Sequence, residues 1–223
     1  MENQICPPDD PGLRLIETFG YRPGQGIARA SLHGQRMQAS AKALGFDFDR
    51  RAVAQLLDSI LSDVSLRCRL TLGRAGDLEL TTAPMPAKAE LMRFVIAGER
   101  LSSGDAMLRH KSTRRDVYER ARAALPTGVD EAVFLNEDGE VCEGTITNIS
   151  ITTPDGDRLT PPLSSGCLPG VYRQSRLNNG LLSEAVLTLS DLKQASSINL
   201  MNSLRGSTQA IWAPQCSHFT QFA

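Results

Sequence analysis

A mixed α/β fold of the α+β kind is what the sequence predicts, on three observations. Leu66, Cys68, Leu70 and Leu72 alternate with Arg67, Arg69 and Thr71, the period of a half-exposed strand. Val53, Leu56, Leu57, Ile60 and Leu61 recur at helical spacing and predict a core-facing stripe. Two apolar runs flank the turn Asn136, Glu137, Asp138, Gly139, which predicts a hairpin.

Taken in order, residues 13–18 read as an opening strand, followed by a turn-rich stretch with Gly20, Pro23, Gly24 and Gly26. A dinucleotide loop would need a third glycine where Arg29 stands, so a turn is the better reading. Residues 31–45 are helical in composition, with Gly45 placed to cap the C-terminus, and the striped helix follows Asp49. Strands are expected at 66–72, with partners at 78–82 and 92–96. Residues 101–109, polar and glycine-containing, read as a linker or inter-domain crossing. A charged helix is expected over 113–125, ending at Pro126, and hairpin strands over 132–135 and 141–153. An irregular loop over 160–170, helices at 171–182 and near 191–195, and a strand at 198–201 complete the pattern.

Composition narrows the function. At 223 residues the chain makes one large domain or two small ones. Its 24 basic and 25 acidic residues leave a formal charge of -1, which offers no global field for nucleic acid or an anionic membrane. No run approaches the roughly 18 apolar residues of a spanning helix. The opening residues carry acids and prolines instead of a basic, then apolar, leader, so a cytoplasmic protein is expected. Cys6, Cys68, Cys142, Cys167 and Cys216 are odd in number and widely spaced, which predicts reduced thiols. His33, His110 and His218 form no metal-ligand pattern, and no metal is expected.

Four segments are candidates for chemistry. Lys111 sits among Arg109, His110, Arg114 and Arg115; the cluster is a solvated or anion-binding patch, or it lowers the lysine's pKa for Schiff-base formation. Glu143 opens the segment Glu143, Gly144, Thr145, Ile146, Thr147, Asn148; it is an exposed strand residue or the partner of a pyridine nitrogen. Pro169 and Gly170 precede a helix whose first amides, at Val171 and Tyr172, suit a phosphate. Asn202, Ser203, Leu204, Arg205 and Gly206 form a polar turn after an apolar strand.

The order of these segments resembles the class IV aminotransferases, the fold type IV pyridoxal-phosphate enzymes that include branched-chain and D-amino-acid aminotransferases and 4-amino-4-deoxychorismate lyase. Thr160, Pro161, Pro162 and Leu163 fit the same pattern, as do Leu32 to Met37 and Leu15 to Phe19 upstream. The resemblance covers nearly the whole chain. It implies two small α/β domains with the cofactor site between them, divided as residues 1–104 and 105–223, the second carrying the Schiff-base lysine. It implies pyridoxal 5'-phosphate as cofactor and Lys111 as its covalent anchor and proton shuttle. Glu143 would pair with the ring nitrogen. Arg36, Val171, Tyr172 and Ser203 would hold the phosphate, and Thr147 and Asn148 would line the cofactor wall. Thr18 and Arg205 would face a small amine or amino-acid-like substrate, and the assembly would be a homodimer.

Departures from the family pattern bear on the substrate. Ser150 stands where an aromatic residue is common, Asp116 where branched-chain enzymes place a tyrosine, and Gly20 where many relatives have arginine. The chain is most similar to the compact aminodeoxychorismate lyase-like members. The expected activity is conversion of 4-amino-4-deoxychorismate to 4-aminobenzoate and pyruvate, a step of folate biosynthesis. The alternatives are an amino-acid aminotransferase of the same fold and a non-catalytic cofactor- or partner-binding homologue.

Overall fold

The computed structural model describes Asp10 and residues 12–213. Cys6, Cys216 and His218 therefore lie outside the described residues, as does the leader reading of residues 1–11 apart from Asp10. Two compact units are present: one runs to Ala87 and takes in His110–Arg114, and the other comprises Lys88–Arg109 and continues from Arg115.

In the first unit β1 (Leu15–Arg22), β2 (Gly26–Ile27), β3 (Leu66–Leu72) and β4 (Leu78–Pro84) form an antiparallel sheet in the order β2-β1-β3-β4. Helix α1 (Ala30–Leu44) ends at Gly45, whose φ of 70° is the left-handed conformation that glycine adopts without a Cβ clash. Helix α2 (Arg50–Asp58) starts at Asp49, whose carboxylate accepts from the amides of Arg51 and Ala52. Phe19, Met37, Ala41, Leu44, Cys68, Leu70 and Leu72 form the core. The expected stripe on α2 is only partly buried. Val53 and Ile60 are inside, but Leu61 is 86% exposed, because the helix stops at Asp58 and the periodicity stops with it. Residues 111–113 lie along β1: Ile16 N donates to Lys111 O at 2.7 Å, Leu15 bridges Ser112, and Thr113 N donates to Arg14 O at 2.9 Å. That pairing delays the charged helix expected from 113 until Asp116.

The second unit is built on an eight-stranded mixed sheet. Its strands are β5 (Leu91–Leu101), β6 (Glu131–Asn136), β7 (Val141–Gly144), β8 (Asn148–Thr152), β9 (Arg158–Thr160), β10 (Ser183–Glu184), β11 (Ser197–Asn202) and β12 (Gly206–Trp212), in the order β10-β9-β8-β11-β12-β5-β6-β7. Helices α3 (Asp116–Ala123), α4 (Val171–Asn178) and α5 (Leu189–Gln194) accompany it. Contrary to expectation, residues 92–96 are no partner of β3 and β4; β5 runs parallel to β6 and β12. The reason is burial on both faces. Met92, Phe94 and Ile96 face one cluster and Val95, Ala97 and Leu101 another, a near-continuous apolar run that belongs in a sheet covered on both sides. The stretch 101–109 lies within this unit and ends in a short 3₁₀ turn at Ala106–Arg109.

One strand expected over 141–153 is two. The chain turns a corner at residues 145–147, closed by Gly144 N donating to Thr147 O at 2.7 Å. Because β7 is at the edge of the sheet and β8 five strands away, this short corner requires the sheet to curl back on itself. Helix α4 stops at Asn178 instead of 182, and Gly180 follows with a φ of 65°. Strand β12 was not anticipated from the sequence.

Candidate active site

In the first unit, β1 and α1 build a buried charge cluster. Arg36 donates through Nε to Glu17 Oε1 at 2.8 Å and through Nη2 to Oε2 at 2.6 Å, and His33 Nδ1 lies 2.5 Å from Oε2. Glu17 and His33 are 2% and 1% exposed. The arrangement follows from spacing: His33 and Arg36 stand three apart on one helix face, both aimed at a strand residue. Burial pushes the Glu17 carboxyl upward, but the Arg36 guanidinium and the His33 contact outweigh it and hold the group at about 2. Lys111, half-buried, is tied to the same strand by its backbone bond to Ile16, one residue before Glu17. The preceding residue, His110, sets Nδ1 3.0 Å from Ser40 Oγ on α1. Thr18 lies on β1, half-buried and opposite Arg69 in register.

In the second unit, Glu143 is the last residue but one of β7 and is 5% exposed. The Tyr118 hydroxyl donates to its Oε1 at 2.8 Å, and Leu168 N and Asn148 Nδ2 donate to Oε2 at 3.1 and 3.4 Å. Asn148 Nδ2 also donates to Leu168 O at 2.9 Å, joining β8 to the loop before α4. Burial raises the thiols of Cys142 and Cys167, and the Glu143 charge adds to it, Cys167 being pushed up to about 12. Both thiols, with Cys68, are free and buried.

A second carboxylate governs the corner. Glu131 is fully buried; it accepts from Thr145 N at 3.0 Å, Ile146 N at 3.3 Å, Thr147 Oγ1 at 3.1 Å and the Thr145 hydroxyl. Thr145 N is shared with Ala132 O of β6 at 3.2 Å, whereas Ile146 N turns to the carboxylate, and the strand breaks there. Gly144 is required at this point, since a Cβ would sit 2.4 Å from Thr147 Oγ1 and 2.9 Å from Glu131 Cδ. Asn202 fixes the remaining turn, its Oδ1 accepting from Leu204 N and Arg205 N at 3.1 and 2.9 Å and its Nδ2 donating to Ile146 O at 3.3 Å. A Cβ on Gly206 would lie 3.8 Å from the Tyr172 ring, so this turn also meets the start of α4.

Gly170 makes the closest approach in the unit. A Cβ there would fall 1.8 Å from Asn148 Oδ1, so Gly170→Ala must displace Asn148 from Glu143 and Leu168. We expect the variant to lose about 1–3 kcal/mol of stability, as overpacked sites do, measured by urea denaturation. A midpoint equal to the wild type would mean that Asn148 yields freely and holds nothing.

The residues expected to act thus divide between the units. Thr18, Arg36 and Lys111 belong to the first, gathered around β1. Glu143, Thr147, Asn148, Val171, Tyr172, Ser203 and Arg205 belong to the second, where the 145–147 corner, the start of α4 and the 203–205 turn converge. Glu17 and Glu131 were not expected as organisers, nor was the hydroxyl of Tyr118. The signal for each carboxylate was an acid inside an apolar strand run. The donor set fits a pyridoxal phosphate: a buried carboxylate for a protonated ring nitrogen, and a helix α4 whose preceding residue, Gly170, brings no side chain to cap the first amides.

Comparison with known proteins agrees with this geometry. The family model "Amino-transferase class IV" matches residues 14–210. A Schizosaccharomyces pombe protein named "Putative aminodeoxychorismate lyase" is 30% identical over 183 residues, 78% of this chain and 79% of that protein. The aminodeoxychorismate lyase of Saccharomyces cerevisiae is 31% identical over 186 residues, 63% of this chain, and the matched part is half of that protein. Among solved structures, a "Putative amino-acid aminotransferase" of Mesorhizobium loti superposes with a TM-score of 0.85 at 38% identity, covering 90% of this chain and all of that one. A match this long, over a fold that aligns throughout, places the chain in the class IV aminotransferase family of pyridoxal-phosphate-dependent enzymes.

Proposed function

We propose that the protein is a pyridoxal-phosphate-dependent lyase that converts 4-amino-4-deoxychorismate to 4-aminobenzoate and pyruvate. The observation that carries the cofactor is Glu143, a buried carboxylate with three donors converging on it. The choice of substrate is supported by the names of the two yeast relatives.

When bound, the cofactor supplies an electron sink for the pair left behind by a departing proton. Glu143 holds the proton on the ring nitrogen that makes the sink effective. Lys111 would be the covalent anchor of the cofactor, and its freed amine would serve as the base toward the substrate ring proton beside nitrogen. Loss of that proton expels enolpyruvate, which becomes pyruvate, and the ring becomes aromatic. Val171 and Tyr172 contribute amides, and Ser203 and Arg36 side-chain donors, to the phosphate. Thr147 and Asn148 line the wall, and Thr18 and Arg205 face the substrate, a guanidinium suiting a carboxylate. A homodimer is proposed on the family resemblance. Among the described residues no helix is long and apolar enough to cross a membrane.

A second reading, amino-acid aminotransferase, is favoured by the 38% identity to the Mesorhizobium loti protein over its full length. Two assays on one preparation separate the readings. Release of 4-aminobenzoate from aminodeoxychorismate is expected, without exchange between amino acid and 2-oxo acid at a comparable rate. Product in the second assay alone would replace the lyase with the transaminase.

A further inference from the structure

We infer that Tyr118 is a positioning residue for Glu143, and that its hydroxyl sets how firmly this carboxylate holds the ring nitrogen of the cofactor. The inference rests on the role given to Glu143 in the proposed function.

The bond is well formed and enclosed. Tyr118 Oη donates to Glu143 Oε1 at 2.8 Å, and the two residues are 8% and 5% exposed. Packing on both sides of the phenol fixes its aim. Phe134 meets it edge-on at 5.3 Å with an interplanar angle of 76°, and the Arg115 guanidinium lies 5.0 Å over its face. Burial, and then the charge of Glu143, drive the phenol's pKa far upward, so Tyr118 is a neutral donor at neutral pH.

The helix carrying Tyr118 reinforces the arrangement. Arg115, Tyr118 and Arg122 stand at i, i+3 and i+7, one face of α3 and the residue before it. Arg115 Nη2 donates to Thr145 O at 2.6 Å, and Arg122 Nη1 donates to Thr145 Oγ1 at 3.0 Å. A single helix face therefore grips both Glu143 and the corner that follows it. Asn148 and the Leu168 amide hold only the other oxygen, so without the phenol Oε1 loses its donor from α3 and the carboxylate is freer to rotate. Twenty-five residues separate Tyr118 from Glu143, a distance at which no local pattern signals a contact.

Tyr118→Phe tests this, because it keeps the ring and its packing and removes one oxygen. The full-length protein, stripped of cofactor, is titrated with pyridoxal phosphate and with its 1-deaza analogue, in which a C–H replaces the ring nitrogen. We expect the variant to bind pyridoxal phosphate about tenfold more weakly, in line with a lost hydrogen bond to a charged group, and the analogue within twofold of wild type. In a Glu143→Gln background the same substitution should add less than a twofold loss, since the partner is already changed. kcat should fall with the substrate KM unchanged. Equal weakening toward both cofactors, or an undiminished loss in the Glu143→Gln background, would reduce Tyr118 to general packing and overturn the inference while leaving the proposed function intact. Wild-type protein that takes up neither cofactor would remove both.

Discussion

Lys111→Ala is expected to abolish the visible absorbance of a covalently held pyridoxal phosphate and to lower kcat by about a thousandfold or more. The magnitude combines two losses. The covalent anchor disappears, and with it the general acid and base, which alone contributes on the order of 10²–10⁴ in rate. The structure makes this a clean experiment. The segment carrying Lys111 is held along β1 by backbone bonds from Ile16 N to Lys111 O and from Thr113 N to Arg14 O, both of which alanine preserves. The melting temperature of the cofactor-free protein should therefore stay close to wild type while turnover vanishes. Retained turnover with retained absorbance would assign the basic cluster at 109–115 to surface charge and remove the lysine from the chemistry.

Glu17→Ala is expected to cost the first unit about 3–5 kcal/mol at neutral pH, the usual penalty for leaving a buried cation without its carboxylate. Arg36 and His33 have side chains 11% and 2% exposed, so water replaces the lost acceptor poorly. The same pair predicts an acid signature. Glu17 is lowered from 4.5 to about 2 on folding, so its stabilisation is complete above the unfolded value and drains away as pH falls from 4.5 toward 2. The shift is worth roughly 3 kcal/mol at one pKa unit per 1.36 kcal/mol. Urea denaturation of wild type and Glu17→Ala at pH 7 and pH 3 should give a gap that narrows in acid. A gap independent of pH would show that the carboxylate contributes packing without charge.

Much of the fold was legible because its patterns are local. The alternation of Leu66 to Leu72, the Gly45 cap and the Asn136 to Gly139 turn each declare themselves within a few residues, and each element stands where expected. Strand β5 was legible as a strand but not in its pairing, since a strand buried on both faces carries no period that says which sheet it joins. The candidate residues emerged from their order along the chain; the groups that aim them did not. Glu131 reaches Thr145 across 14 residues and Tyr118 reaches Glu143 across 25. Such contacts are created by topology, and a buried acid in a strand reads from sequence as an ordinary interruption of an apolar run.

The corner at 145–147 has a consequence for the order of assembly. Beyond the local bond from Gly144 N to Thr147 O, its donors are met by Glu131, on a different strand, so the turn is completed only when that strand is in place. The register Leu135 to Val141 and Val133 to Gly144 brings Glu131 alongside the corner once the hairpin has zipped from its Asn136 to Gly139 turn. Hairpins of this kind close in about 1–10 μs, whereas pairing distant strands waits on slower loop closure. The wall around Glu143 thus depends on that hairpin: a tight turn with no chemistry of its own delivers the carboxylate that braces the backbone at the site.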